Sequence, residues 1–473
     1  MSTVSDIKIS RKVQIARAHL AALANEVCIS ARAHEQREFA LTELPALLDS
    51  GEIDCTSNGV AIDSIAAAWM LCSYGSSRGK HLVKASMNRL IEREILAADI
   101  DVGYHLHGPK RDKPRVLVLS SFFRSKHAVY RWYGPSIEAM RDAFSLHGMF
   151  FTDIDGDAAK IFERVTVAQM VPADFFQQLK SVVSLIESHA PDIILYADAA
   201  MHPFTVFTAN MRLAPLQLLL CGHPASSYSR HIDYFLHEQV YADCFNDFTE
   251  KPLLYPSEHF AMHRTDKPPV AERETGNGKV RILAPATLPK LTRPYVSMLG
   301  EIMGQLDPAK FELHITTHAS DEQFAVVAND IKQLMPSINP DIHVYKRLPT
   351  DRYFALVDQC DMFLNPFPFH SSTMILDCLE RGMPGITMCG NEIMSRNGAE
   401  HMRKFNRANQ MYIAGGEAEY LVKAISLARE IGDVPIPLQR ATDMIPCYRV
   451  PPQPSIYSNP STGVRDAILR VIQ

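Results

Sequence analysis

The stretch Val280-Arg-Ile-Leu-Ala284 is a short apolar run, and a second run, Phe311-Glu-Leu-His-Ile-Thr316, follows it along the chain. Residues 293–306, which lie between the two runs, have the apolar spacing of a helix. Short apolar runs of this kind are typical of buried parallel strands. The stretch therefore predicts a βαβ unit.

The same alternation continues on both sides of this unit. Toward the C-terminus it predicts helices at 321–335, 351–357 and 371–381, and strands at 342–345, 361–364 and 385–388. Toward the N-terminus it predicts strands at 115–120, 149–152, 191–196 and 215–220, and helices at 135–146 and 172–188. The polar segment 272–279 holds two glycines and predicts a linker. We therefore predict two Rossmann-like α/β domains, 113–271 and 279–473.

The first part of the chain has a different pattern. Residues 9–38 carry Ala, Leu, Arg and Glu at helical spacing without Pro or Gly, and further helices are predicted at 63–72 and 80–98. The segment 103–114 contains two prolines and several charges, which indicates a linker. Residues 1–105 are therefore predicted to form an all-α domain.

The composition is that of an ordinary globular chain. Of 473 residues, 47% are apolar and 21% charged, which is enough apolar material for several cores. The 48 basic and 53 acidic residues leave a net charge of −5, so we expect neither a nucleic acid nor a membrane as partner. We find no membrane span, no secretory leader and no Cys-x-x-Cys pair among the nine cysteines, and we therefore expect a cytoplasmic protein with reduced thiols.

Two α/β domains joined by a linker predict a ligand cleft at the carboxyl ends of their strands. Two-domain glycosyltransferases, sugar-nucleotide epimerases and periplasmic-type binding proteins share this plan, and the expected absence of a leader disfavours the last. The G-x-G-x-x-G and G-x-x-x-x-G-K-[ST] motifs are both missing. Their absence counts against a dinucleotide oxidoreductase and a P-loop enzyme.

The best candidate anion site is Asn365-Pro-Phe-Pro-Phe-His-Ser-Ser-Thr-Met-Ile-Leu-Asp377. Ser371, Ser372 and Thr373 begin a predicted helix, where free backbone N–H groups and the helix dipole suit a diphosphate. Asp377 lies one turn further along the same face, where a carboxylate suits a ribose diol. On the residues alone, ordinary capping and a solvated acid explain the pattern equally well.

Two further segments carry candidate site residues. Lys290 follows the strand at 280–284 and suits the charge of a leaving phosphate, although a loop lysine is most often merely solvated. His223 lies in Cys221-Gly-His-Pro-Ala225 after another strand, and suits acid/base chemistry or a hydrogen bond to a sugar. His231 and Asp233 raise the question of a metal, but the spacing gives no complete ligand set, and no metal is predicted.

Residues 115–430 resemble the cytoplasmic bacterial N-glycosyltransferases that glucosylate high-molecular-weight adhesins, which are relatives of the O-linked GlcNAc transferases. The resemblance rests on the order and spacing of several segments: His127-Ala-Val-Tyr-Arg131, Asn210-Met-Arg-Leu-Ala-Pro-Leu-Gln217, Gly222-His-Pro-Ala225, Ile232-Asp-Tyr234, Thr287-Leu-Pro-Lys290, Asn365-Pro-Phe-Pro-Phe369, Gly382-Met-Pro-Gly385 and Ser395-Arg396. The helical first part also fits, because the adhesin enzymes carry an N-terminal all-α domain.

The resemblance implies a GT-B fold, a UDP-hexose donor, inversion at the anomeric carbon and no metal or other cofactor. Carried over by position, it implies that Lys290 and the hydroxyls of Ser371, Ser372 and Thr373 contact the diphosphate and that Asp377 holds the nucleotide. It places Arg347 and Pro349 in the uracil loop and His223 in the active site.

Two segments depart from the family. His370-Ser-Ser-Thr373 replaces a Gly-Asn-Thr-Asn run, and Tyr228 stands where the family has a second histidine. These changes leave the hexose and the acceptor open.

The predicted function is transfer of a hexose, with glucose expected, from a UDP-sugar to asparagine side chains of a protein, for which a secreted adhesin before export is the candidate. Lys290 and His223 are the predicted catalytic residues. Two alternatives remain open: O-linked transfer to a protein or glycan on the same fold, and a catalytically degenerate binding module.

Overall fold

The structure is a computed structural model that describes residues 10–56, 58–101, 103, 111–168, 174–264, 266–272, 278–335, 341–405, 407–433 and 455–472. The described residues divide into two compact units. Those of the first fall within Met1–Asn25, Gln36–Thr265 and Ile456–Gln473, and those of the second within Glu26–Glu35 and Asp266–Ser455.

Four α-helices precede the first sheet: α1 Arg11–Ala24, α2 Ala31–Asp49, α3 Ile62–Leu71 and α4 Val83–Ala97. Each buries an apolar stripe, and α1 contributes Val13, Ala16, Leu20 and Leu23. The prediction of one helix over 9–38 is wrong. Ser30 accepts a hydrogen bond from the backbone N–H of Ala33 at 3.3 Å, and this cap starts a new helix after the break at Asn25.

The first unit also holds a seven-stranded parallel sheet. Its strands are β1 Arg115–Ser120, β2 Ser145–Phe150, β3 Arg164–Val167, β4 Ile193–Tyr196, β5 Leu216–Leu220, β6 Tyr234–Glu238 and β7 Lys251–Tyr255, and its helices are α5 Ala128–Glu138, α6 Gly156–Ala159, α7 Phe175–His189 and α8 Pro203–Thr208. The strand order is β3-β2-β1-β4-β5-β6-β7. The direction of strand addition therefore reverses between β1 and β4, which marks a topological switch point.

The second unit is built around a six-stranded parallel sheet. Its strands are β8 Val280–Pro285, β9 Phe311–Thr316, β10 Asp341–Tyr345, β11 Met362–Leu364, β12 Gly385–Met388 and β13 Ile413–Ala414, and its helices are α9 Arg293–Gly304, α10 Asp321–Gln333, α11 Thr350–Gln359, α12 Ser372–Glu380, α13 Ile393–Phe405 and α14 Glu417–Gly432. The order is β10-β9-β8-β11-β12-β13, so the switch point lies between β8 and β11.

The predicted fold class, two Rossmann-like domains preceded by an all-α region, is confirmed. Locally, the helix predicted over 135–146 and the strand predicted over 149–152 are misplaced, because α5 ends at Glu138 and β2 spans Ser145–Phe150. Gly148 interrupts the apolar pattern of this strand. Glycine is needed at this position because a Cβ would lie 2.6 Å from the ring of Phe150. Strands β3, β6, β7 and β13 were not predicted.

The last described helix, α15 Gly463–Ile472, belongs to the first unit. Its residues Val464, Ala467 and Ile468 are buried in the same apolar cluster as Tyr255 and Phe260. The predicted domain limits stay predictions, but the grouping of Ile456–Gln473 differs from the predicted limit of 279–473. The reason is that α15 packs against β7 and α5, which lie more than 200 residues earlier in the sequence.

Among the helices of the described residues, none has the length and apolar character that crossing a membrane requires.

Candidate active site

In the second sheet, the loops that follow β8, β9, β10 and β11 lie at the same end of the sheet. The residues Arg347, His318, Lys290 and His370 follow β10, β9, β8 and β11 respectively, and these strands are neighbours in that order. All four strands are parallel, so their carboxyl ends lie on the same side. Lys290 and His370 flank the switch point between β8 and β11, the position at which doubly wound sheets bind ligands.

Lys290 ends a short turn, Leu288–Lys290, directly after β8. Its side chain is partly buried, and no carboxylate pairs with it among the residues the structure describes. Its ammonium lies 5.4 Å from the centre of the Phe369 ring. Burial lowers the pKa of Lys290 to about 8. A lysine in this state gains from an anionic ligand, because the ligand supplies a counter-charge that no described carboxylate provides.

Helix α12 begins at the predicted serines. Ser371 is its N-cap, and the backbone N–H of Ser371 donates to Oδ1 of Asn365 at 3.0 Å. Within the described part of the chain, the buried Oγ of Ser371 has no hydrogen-bond partner. Ser372 accepts from Nδ2 of Asn397 at 3.3 Å, and Thr373 is partly buried. Among the described residues, no side chain caps the first N–H groups of α12, and such uncapped groups suit an anion.

His370 stands beside these serines and was not among the predicted site residues. Its side chain is 1% exposed, and Nδ1 accepts a hydrogen bond from the backbone N–H of Gly398 at 2.9 Å. Burial, and then the charge of Lys290, lower the pKa of His370 to about 3. The sequence showed His370 only as a departure from the resembling family.

Asp377 is buried on α12 and forms an ion pair with Lys267. The two charged atoms lie 2.9 Å apart, and the same ammonium lies 2.6 Å from Glu380. The carboxylate predicted for the nucleotide thus already has a cationic partner in the protein. The sequence could not reveal this partner, because Lys267 lies 110 positions earlier in the chain.

Arg347 and Pro349, predicted for the uracil loop, lie between β10 and α11, and both are exposed. Pro349 is the N-cap residue of α11. His318, after β9, has a left-handed backbone with φ of 56°. Burial, followed by the charges of Arg347 and Lys290, lowers the pKa of His318, so these three groups share one electrostatic environment.

The other predicted catalytic residue, His223, lies after β5 in the first unit. Its Nε2 is 2.8 Å from Oγ of Ser73, which in turn is 3.1 Å from Nε2 of His81. Burial, and then the charge of Lys84, lower the pKa of His223 well below its usual value, so the ring is neutral. Ser73 and His81 were missed, because no sequence pattern links His223 to residues that lie 150 and 142 positions earlier.

The glycine before His223 has a steric role. A Cβ at Gly222 would overlap the carbonyl oxygen of Ala197, which follows β4. Gly222 therefore lets the histidine loop pack closely against the end of β4. Tyr228, in the place of the family's second histidine, also has a left-handed backbone, with φ of 56°, and donates to the carbonyl of Asp247 at 2.8 Å.

The structure does not gather His223, His231 and Asp233 into a metal site. His231 lies 3.2 Å from Glu92, whereas Asp233 pairs with Arg212 at 2.7 Å. Within the described ranges, the group with metal-ligand spacing is Glu312, His314 and His343 on β9 and β10. Protein partners already occupy two of its members, because Glu312 pairs with Arg281 at 2.9 Å and His314 with the hydroxyl of Tyr345 at 2.8 Å.

Comparisons with known proteins agree with this fold. Residues 7–95 match a family model described as HMW1 domain 2. Two curated relatives, both called UDP-glucose:protein N-beta-glucosyltransferase, come from Actinobacillus pleuropneumoniae serotype 5b (strain L20) and serotype 7 (strain AP76). They are 29% identical over 374 residues and 28% identical over 375 residues. Each match covers 76% of this chain and 58% of the relative, so the chain spans less than two thirds of their length.

A solved structure, a lysine-to-methionine mutant of the Thermobaculum terrenum O-GlcNAc transferase, matches with a TM-score of 0.61 and 17% identity. The match covers 100% of this chain and 98% of the other, and at this identity it supports the fold alone. The resemblance stated from the sequence is confirmed as a similarity: residues 7–95 match the HMW1 domain 2 model, and the curated relatives are N-beta-glucosyltransferases. The chain is thus similar to the bacterial HMW1-type N-glycosyltransferases, and its fold is GT-B.

Proposed function

We propose that the chain transfers glucose from UDP-glucose to asparagine side chains of a protein acceptor, with inversion and without a metal ion. The observation that carries the proposal is Lys290, a partly buried ammonium without a carboxylate partner in the described residues, at the switch point of the second sheet. The uncapped N-terminus of α12 lies after the neighbouring strand β11. The names of the two curated relatives supply the donor and the type of acceptor.

Transfer of the sugar breaks the bond between its anomeric carbon and the β-phosphate, so negative charge grows on the leaving diphosphate. The ammonium of Lys290 and the N–H groups at the start of α12 are fixed donors for this charge. They bind the leaving group more strongly as the bond breaks, which lowers the barrier rather than only the dissociation constant. These donors are the reason that the proposed reaction needs no divalent ion.

His223 is the proposed base or orienting residue on the acceptor side. A neutral imidazole accepts a proton, and its bond to Ser73 fixes the orientation of the ring. An amide nitrogen is a poor nucleophile, so alignment of the acceptor contributes as much as proton removal. We propose that the acceptor is a protein such as an adhesin before export, which also places the reaction in the cytoplasm.

The test measures UDP release from UDP-glucose with an Asn-x-Ser/Thr peptide and with the matched Gln-x-Ser/Thr peptide. We expect release and a mass gain of one hexose with the first peptide only, and a β-linked product from an α-linked donor by NMR. EDTA is expected to leave the rate unchanged. A strict requirement for Mn²⁺ or Mg²⁺ would contradict the proposed phosphate site.

The same assay separates the alternatives. Modification of Ser or Thr in the control peptide would show O-linked transfer on the same fold. UDP binding without sugar release for any acceptor would indicate a binding module. Absence of UDP binding at millimolar concentration in calorimetry would reject the proposed function as a whole.

A further inference from the structure

The buried imidazole of His370 has one defined tautomer. Its Nδ1 accepts the backbone N–H of Gly398, so on the neutral ring the proton is carried by Nε2. The backbone of His370 is held as well, because its N–H donates to the carbonyl of Met394 at 3.0 Å. Ring and backbone are therefore both fixed, and Nε2–H points in one direction.

Gly398 is the residue that makes this arrangement sterically feasible. A Cβ at this position would lie 2.9 Å from Nδ1 of His370 and would overlap the side chains of Asn365 and Thr387. Any larger residue would therefore push the ring away or break the hydrogen bond to Nδ1. Gly398 lies inside helix α13, where glycine is otherwise unfavourable, and close approach explains its presence.

The donor at Nε2 is buried and, among the described residues, has no protein partner. The Oγ of the adjacent Ser371 is in the same condition. Burying an N–H without an acceptor is energetically unfavourable, so such a group points to a ligand that the protein binds. Lys290 is near enough to influence the titration of His370, so an oxygen ligand there would meet an ammonium and a neutral N–H together.

We propose that Nε2–H of His370 donates a hydrogen bond to a diphosphate oxygen of the UDP-sugar, beside Lys290. This hydrogen bond becomes stronger as the leaving group gains charge. This inference rests on the proposed function and adds a catalytic residue to it. A neutral imidazole is suited to this position, because it stabilises an oxyanion without placing a second cation next to Lys290.

The test compares His370→Leu, His370→Gln and Gly398→Ala with the wild type in UDP calorimetry and in peptide glucosylation. Loss of one such donor is expected to lower kcat by about 10²–10³ in His370→Leu. His370→Gln places an amide N–H near the original Nε2 and is expected to restore part of kcat. Gly398→Ala keeps His370 in the sequence, but the added Cβ displaces the imidazole ring. The kcat of this variant is therefore expected to fall as well. The matched control is His314→Gln, which changes a buried histidine on β9 and is expected to retain kcat.

A second measurement does not depend on whether the leucine variant folds. In wild-type protein with ¹⁵N-labelled histidine, UDP is expected to shift one Nε2–H resonance downfield, whereas uridine, which lacks the diphosphate, is not. That resonance should be absent in His370→Gln.

The outcomes separate the inference from the proposed function. If the wild type binds UDP and glucosylates the peptide while His370→Leu keeps kcat within about twofold, or if no Nε2–H resonance responds, the inference is wrong and the function stands. If the wild type does not bind UDP, the function fails and the inference falls with it.

Discussion

Lys290 is a single side chain with a large expected effect on the reaction. Replacement by alanine removes a donor to the leaving diphosphate, so we expect kcat to fall by about 10²–10³. Folding should be little affected, because the ammonium has no carboxylate partner among the described residues. Steady-state kinetics and thermal unfolding of Lys290→Ala measure the two quantities. His318→Ala is the control with a weaker expected effect on kcat.

The pKa of Lys290 also predicts an alkaline limit. Because burial lowers it to about 8, the free enzyme loses the ammonium as the pH rises through that value. We therefore expect kcat/KM to fall above pH 8 in the wild type, and Lys290→Arg to keep part of the activity without this fall. The proposed role of Lys290 would be contradicted if kcat/KM of the arginine variant fell above pH 8 as in the wild type. Normal turnover of the alanine variant would contradict it as well.

Asp377 has two candidate roles, an ion pair with Lys267 and a contact with the nucleotide. A comparison with Glu380 distinguishes them. Both carboxylates pair with Lys267, but the resemblance assigns the nucleotide to Asp377 alone. Asp377→Asn and Glu380→Gln should both destabilise the fold, because each weakens a buried ion pair. A nucleotide role predicts that Asp377→Asn, and not Glu380→Gln, weakens UDP binding in calorimetry. Equal UDP affinity in the two variants would leave Asp377 as an anchor for Lys267 only.

At the scale of the elements, α15 completes the apolar core of the first unit. Ile468 is fully buried, whereas Ile472 on the same helix is 36% exposed. We expect Ile468→Ala to lower the free energy of unfolding by about 2–5 kcal/mol, and the matched Ile472→Ala by clearly less. Chemical denaturation measures both. Equal losses would mean that α15 does not dock through Ile468.

The sequence predicted those elements whose own residues carry the signal. The strands at 115–120 and 311–316 are apolar runs, and the structure has them at the same residues. The helix and strand around β2 were misplaced, because Ser145 and Gly148 interrupt the apolar pattern of a buried strand. The break before α2 was missed, because the single capping residue Ser30 is only a weak sequence signal within a helical pattern.

The candidate site could be predicted in part for the same reason. Lys290 and Ser371 lie at the ends of recognisable strands, so their placement follows from the topology. The partners of His223 and Asp377 follow from tertiary packing between distant segments, which no local pattern records. The donor role that we infer for His370 depends on one backbone N–H of Gly398, which only coordinates reveal.

For the whole molecule, buried neutral histidines predict sensitivity to acid. His147 and His189 face each other with their Nδ1 atoms 2.9 Å apart, and burial is the main cause that lowers the pKa of each to about 4. In the unfolded chain a histidine titrates near pH 6.5. Between pH 6.5 and 4 the unfolded state therefore binds protons that the native state does not, and stability falls as the pH falls.

The expected slope is up to about 1.4 kcal/mol per pH unit for each such histidine. His147→Asn keeps a polar group near the position of Nδ1 and removes one of these protons. Urea denaturation at several pH values between 6.5 and 4.5 should show a shallower slope for this variant. His343→Asn changes an exposed histidine and is the control. A slope equal to that of the wild type in His147→Asn would show that the pair does not resist protonation.

The position of α15 also orders events during synthesis. The core that contains Val116 and Leu218 closes only when Val464 and Ile468 arrive. The ribosome makes these two residues after the whole second sheet, although they belong to the first. The apolar core of the first sheet is therefore expected to stay incompletely covered while more than 200 further residues are translated. The second unit has all of its strands and thus can finish folding first, which reverses the usual N-to-C order of domain maturation.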